Sequence, residues 1–211
     1  MKTIVYIDGQ NFLYKASDVL TLAGYINNKQ DLFKIDIYGL IGNIIKSDNL
    51  RVRFYGARVK VRKDKGKDIY LKSRAFSDNS RKMKNNLNNQ NIEYVESGML
   101  KLRDSDICKK CGAQDLRFQE KGVDVGMAVD MIVDSFSGNV DQIILVSSDT
   151  DLIPAIKNII DRGTEIIYLG FSDKLTKGIV AEASKTETIR DAEIIDAFNR
   201  LNPQSLPLAD S

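Results

Sequence analysis

The sequence predicts an α/β fold, a parallel β-sheet sandwiched between helices, and three observations carry that expectation. Strand-like apolar runs alternate with segments of helical spacing along the chain, which is the pattern of a parallel sheet covered on both faces. Ile143-Ile144-Leu145-Val146 is an unbroken apolar run, the habit of a strand buried on both sides. The strand at Ile143 and the one that opens the chain both run into aspartates just before a helix begins. Ligands of open α/β sheets bind beyond the carboxyl ends of the strands, so acids at those points are placed for chemistry.

Taken in order, Thr3-Ile4-Val5-Tyr6-Ile7 is the first buried strand, and it ends in Asp8-Gly9-Gln10-Asn11. Asp8 is a ligand candidate or a helix cap. Gly9 allows a sharp turn and close approach to a ligand, and Asn11 can orient a carboxylate or a water. Helices are expected over 13–24 and 32–46. Arg51 to Val59 alternates as a second strand and turns basic. From Arg58 to Lys84, eleven Lys and Arg residues face only the acids Asp64, Asp68 and Asp78, across a loop at 60–67 and a polar helix at 69–89. Such a run is either a solvated face or a grip on a phosphate backbone, and the interleaved aromatics Tyr70 and Phe76 favour the second. Ile92 to Leu102 is a third strand.

A polar excursion at about 103–120 carries Cys108 and Cys111 as C-x-x-C. Two thiolates supply half of a tetrahedral zinc site, and the chain has no histidine and no further cysteine. A zinc shared across a homodimer, a labile disulfide, and carboxylate ligands to Zn²⁺ all stay open. Val123 to Val133 is apolar nearly all round, the mark of a buried helix. Asp124 falls in its first turn, where the helix dipole favours a carboxylate. Asp130 lies on a different face and is expected to anchor donors nearby. The strand ending at Val146 leads through Ser147, Asp149 and Asp151 into an apolar helix that starts at Leu152 and stops at Gly163. A buried strand at 165–170, a short helix at 174–182 and an edge strand at 186–190 follow, and 201–211 is expected to be a flexible tail.

With 211 residues, 43% of them hydrophobic and 28% charged, the chain is long enough for one substantial core. One domain over 1–200 is expected, with the cysteine loop as an insertion. The absence of histidine excludes histidine triads and most zinc hydrolase designs. No segment approaches the roughly 18 apolar residues of a membrane helix. The acid at position 8 comes too early for the apolar core of a signal peptide, so a cytoplasmic location is expected.

Asp8, Asp124, Asp149 and Asp151 gathered at one sheet edge repel one another unless a cation joins them. Oxygen ligands without His or Cys point to Mg²⁺ or Mn²⁺, and such ions serve phosphoryl transfer to water. No Walker loop or G-x-G-x-x-G suggests a nucleotide cofactor.

The D-x-x-N of Asp8 and Asn11, the K-G-x-D of Lys121, Gly122 and Asp124 with Asp130, and the S-x-D-x-D of Ser147, Asp149 and Asp151 resemble the NYN domain, and within it the LabA-like bacterial branch. Ser148 stands where this family commonly has Gly, and Leu152 where it has Phe. The resemblance implies a Rossmann-like, PIN-like sheet. It also implies a metal-dependent nuclease acting on nucleic acid, RNA ahead of DNA. Asp8, Asp124, Asp149 and Asp151 would then be metal ligands, with Asn11 beside them. Arg58, Lys60, Arg62, Lys63 and Lys121 are the candidate backbone contacts. The rival readings are a non-catalytic RNA-binding module and a phosphatase of the haloacid dehalogenase type. The phosphatase needs a D-x-D after the first strand, and Gln10 occupies the second acid's position.

Overall fold

The structure, a computed structural model, describes residues 2–27, 32, 34–47, 49–104 and 116–203. Cys108, Cys111 and the tail from 204 onward lie outside these residues. Seven strands form one sheet in the order β4-β3-β2-β1-β5-β6-β7. They are β1 (Thr3–Asp8), β2 (Arg51–Arg58), β3 (Glu93–Asp104), β4 (Leu116–Lys121), β5 (Gln142–Val146), β6 (Glu165–Phe171) and β7 (Lys185–Ile189). Every neighbouring pair is parallel except β3 with β4.

Period-two alternation divides the apolar strands between two cores. Val5, Ile7, Ile144, Val146, Ile167 and Leu169 face one core, and Ile4, Tyr6, Ile143, Leu145, Ile166 and Tyr168 face the other. The first core is closed by α1 (Gly9–Leu22), α2 (Ile37–Ile45), α3 (Lys67–Asn89) and α7 (Asp191–Leu201), the second by α4 (Val123–Phe136), α5 (Ile153–Ile160) and α6 (Lys177–Glu182). Two covered faces explain why the central strands read as continuous apolar runs instead of alternating ones.

From β1 the chain moves outward to β2 and β3, then returns to lay β5 against the other side of β1. The β1–β5 junction is therefore the topological switch point of the sheet, where a crevice opens at the carboxyl ends of the strands. Asp8 ends β1 there, and Ser147 to Asp151 leave β5 there.

Four expectations are corrected. The helix expected over 32–46 starts at Ile37, because Asp36 accepts a bond from Gly39 N at 2.9 Å and caps it. The excursion at about 103–120 is not all loop. β3 runs on to Asp104, and Leu116 to Lys121 returns as antiparallel β4, Met99 opposite Lys121. That edge strand is largely polar, as an edge facing water permits. Helix α7, not expected, buries Ile194, Ala197 and Phe198. Helix α4 is buried on one side only. Val123, Met127 and Met131 are buried, while Val125, Val129, Val133 and Phe136 are exposed, with the Arg162 guanidinium 3.7 Å from the Phe136 ring centre.

Candidate metal centre

The crevice is built from the starts of helices. Asp8 is the N-cap of α1: its Oδ1 accepts from Asn11 N at 3.0 Å and its Oδ2 from Ser147 Oγ at 3.1 Å. Capping moves the start of α1 forward to Gly9, ahead of the stretch whose periodicity announced it. Gly9 is buried against β2. A Cβ there would lie 2.2 Å from the Phe54 ring and 2.5 Å from Tyr55 O, so its smallness serves the seating of α1 and not approach to a ligand.

Ser147 ties the two halves of the site together. Its hydroxyl donates to Asp8 and accepts from Asp149 N at 3.1 Å. Asp149 caps the 3₁₀ turn Thr150–Leu152, with its Oδ1 accepting from Asp151 N at 2.9 Å. The Asn11 amide donates to Ser148 Oγ at 2.7 Å, and Thr176 Oγ1 donates to Ser148 O at 3.1 Å. Asn11 thus orients Asp8 with its backbone and the β5 loop with its side chain. Asp124 reaches the crevice from the first turn of α4, after Gly122 at φ 81°. Gly98 on β3, at φ 69°, packs on this entry so closely that a Cβ would lie 2.2 Å from Lys121 O.

Asp124, Asp149 and Asp151 each offer a carboxylate oxygen within 4.8 Å of the others. The positive ends of the helix dipoles offset part of their repulsion. Asp8 stands outside this group of three but beside it. Burial pushes its pKa up, the bonds from Asn11 N and Ser147 pull it down, and Asp149 and Asp124 push it up again. The donor set is all oxygen and anionic, which fits a hard divalent cation such as Mg²⁺ or Mn²⁺ and not a soft one.

Asp130, as expected, turns away from the crevice, and its Oδ2 accepts from Tyr55 OH at 2.8 Å. Of the basic residues, Arg58 pairs with Glu96 at 3.4 Å, and Arg62 holds Asp64 through two bonds of 3.2 Å. Lys60, Lys63 and Lys121 are exposed. On α3, Arg74 and Arg81 pair with Asp78, and Lys84 with Glu96. Much of the basic run is therefore matched by its own acids.

Two charged groups of the crevice escaped the sequence reading. Lys15 on α1 has its pKa lowered by burial, against the pull of Asp173 and Asp8. Glu120 on β4 is pushed up to about 7, by burial first and then by Asp8, while a bond from the Ala57 N–H draws it back. Glu120 was hidden because its strand looked like a polar loop. Its place directly before Lys121-Gly122-Val123-Asp124 was the available signal.

A family model for the NYN domain matches residues 2–190. The chain belongs to the NYN domain family. NYN domains fall in the PIN-like nuclease superfamily, whose members act on nucleic acids, and the curled α/β sheet agrees with that fold. A crystal structure of a protein of unknown function from Vibrio parahaemolyticus is similar to this NYN chain. The TM-score is 0.55 at 18% identity, covering 89% of this chain and 92% of that one, and the likeness is one of fold. Among curated proteins, none matches. Among the described residues, no helix of this NYN domain is long and apolar enough to cross a membrane.

Proposed function

We propose that this NYN domain is a metal-dependent ribonuclease that hydrolyses phosphodiester bonds at the crevice between β1 and β5. The observation that carries the reading is the convergence of Asp124, Asp149 and Asp151 within 4.8 Å at the sheet's switch point. Carboxylates so close, with no cationic side chain among the described residues bonded between them, are costly unless a cation joins them. Asp124, Asp149 and Asp151 would hold a Mg²⁺ or Mn²⁺ ion, with Asp8 completing the set. Such an ion binds phosphate oxygens and lowers the pKa of a water.

The chain's own groups do the rest. Ser147 and Asn11 N fix both oxygens of Asp8, so this carboxylate keeps one orientation. The bond from Asn11 to Ser148 holds the β5 loop, and with it Asp149 and Asp151, at a set distance from β1. Arg58 and Lys60 leave the carboxyl end of β2, the same sheet edge as Asp8, and Lys121 precedes the turn into α4. With Arg62 and Lys63 they form a basic flank for a backbone that the acids alone would repel.

Single-stranded and structured RNA incubated with the protein and Mg²⁺ or Mn²⁺ should be cleaved, and excess chelator should abolish cleavage. Full cleavage in chelator would overturn the metal mechanism. A readout independent of activity is thermal stability. Metal at about 100 times its Kd should stabilise the fold by about 2.7 kcal/mol, and the gain should vanish in Asp149→Asn.

A further inference from the structure

Next to the carboxylate crevice lies a second feature that hydrolysis itself does not use. A cleft of about 340 Å³ opens between α1, the end of β2, α3 and the β3–β4 hairpin. Its apolar lining mixes aromatic side chains with aliphatic ones such as Leu13, Met83 and Leu100. Phe76 of α3 and Phe118 of β4 meet edge to face at 5.3 Å, and Phe54 and Tyr94 stack at 6.0 Å. Polar atoms come from Gln10, Asn79 and Glu120. Glu120 is fixed in the wall by the bond from Ala57 N–H.

The position of the cleft matters as much as its lining. Gly9 and Gln10, which line it, directly follow Asp8, and Glu120 lies four residues before Asp124. Glu120 feels the charge of Asp8. Val59, also in the lining, sits between Arg58 and Lys60 of the basic flank. A strand whose phosphate lies at the carboxylates and whose backbone follows Arg58 and Lys60 therefore passes over the mouth of this cleft. Flat, apolar and edged with hydrogen-bonding groups, a nucleobase is the part of that strand that matches such a space, since aromatic walls stack bases of any sequence. A carboxylate in the wall adds selectivity, because it accepts from base N–H groups. Guanine presents two adjacent N–H donors on its Watson–Crick edge, where the other bases present one.

We propose that the cleft is a nucleobase subsite. It takes one unstacked base next to the scissile phosphate against the Phe76/Phe118 pair, with Glu120 selecting guanine. This rests on the nuclease reading for the position of the phosphate, and the two can fail separately.

Mixed-sequence single-stranded RNA is cleaved by wild type, Glu120→Gln and Phe118→Leu, and the product ends are sequenced. Guanine should be enriched at one fixed position relative to the cut, and Glu120→Gln should reduce that enrichment about tenfold. Phe118→Leu, which keeps an apolar side chain but loses the aromatic face, should raise KM about five- to tenfold for all sequences with kcat little changed. In parallel, GMP and UMP are titrated into the inactive Asp149→Asn protein. GMP should bind about tenfold tighter, and Glu120→Gln in the same background should equalise the two. Melting curves confirm that each variant is folded. Metal-dependent cleavage with unbiased ends that Glu120→Gln leaves unchanged overturns the subsite and leaves the nuclease standing. Selective GMP binding that depends on Glu120, in a protein that cleaves nothing, supports the subsite and overturns the nuclease. Equal binding of GMP and UMP to the folded protein overturns the subsite.

Discussion

Helix α4 carries acids into two environments that have little in common. Near its start, Asp124 faces Asp149 and Asp151, acid against acid. Further along, Asp130 accepts from Tyr55 OH, while Asp134 Oδ2 accepts from Tyr6 OH and from Arg53 Nη1 at 2.5 Å. Arg53 also reaches Glu93 at 3.1 Å and lies over the Tyr6 ring, which stacks on Tyr55 at 5.9 Å. Burial, then the bond to each aspartate, holds both tyrosine hydroxyls well above their ordinary pKa, so they stay protonated donors. Asp124 and Asp149 are half-buried and Asp151 exposed, while Asp124, Asp130 and Asp134 all come from one helix. What separates them is that tyrosine and arginine side chains donate to Asp130 and Asp134, while Asp124 meets other acids. The Asp134 group is part of the fold's internal hydrogen bonding, and the Asp124 group is one that could hold a divalent metal.

The comparison can be broken or sharpened by substitution. Asp149→Asn should lower metal-dependent cleavage about 10²- to 10³-fold, the scale of one preorganised electrostatic element, and leave stability without metal unchanged or higher, because one like charge is gone. Urea unfolding that shows a large loss of stability in this variant would place Asp149 with the structural acids. Arg53→Met should do the reverse. Its guanidinium and the Asp134 carboxylate are 14% and 21% exposed, so stranding Asp134 should cost about 2–3 kcal/mol, somewhat less than for a fully buried pair. Activity per folded molecule should persist.

Glu120 gives a test through pH. The folded state raises its pKa from 4.5 to about 7, so it holds the proton more tightly than the unfolded chain does. Its contribution to stability is fully present below about pH 4.5 and is lost as the pH rises through about 7, by about 1–3 kcal/mol after discounting for partial exposure. Glu120→Gln should be more stable than wild type at pH 8 and closer to it at pH 5, and equal shifts at the two pH values would show that Glu120 is an ordinary surface acid. The smallest effect belongs to the basic flank. Neutralising Lys60 and Lys63 together should flatten the salt dependence of RNA binding by about 1.4 units, at roughly 0.7 per phosphate contact. An unchanged slope would assign both lysines to solvent.

The acids at the strand ends were legible in the sequence for a physical reason. Where both faces of a sheet are covered, the central strands are uninterrupted apolar runs, and the first carboxylate after such a run stands out, as Asp8 and Asp149 do. What depends on neighbours distant in sequence was less legible. Val125, Val129 and Val133 look as buried as Met127 until it is known that only one side of α4 has company. Leu116 and Phe118 are too sparse to announce β4 without β3 beside it, and with that strand Glu120 was missed. Asp124, Asp149 and Asp151 were expected to meet, and they do. Asp8 lies beside their group and not within it, with Ser147 and Asn11 N bonded to its two oxygens, a pattern that spacing does not reveal.

The seam between β1 and β5 also sets when the site can exist during synthesis. Asp8 leaves the ribosome well before its hydroxyl partner Ser147, which lies 139 positions later, and β1 has no β5 to pair with until Gln142 to Val146 have emerged. Asp149 and Asp151 come later still. A growing chain that ends between Asp124 and Asp149 holds Asp8 and Asp124 but not the cluster. The crevice assembles only once β5 and the turn after it have been made.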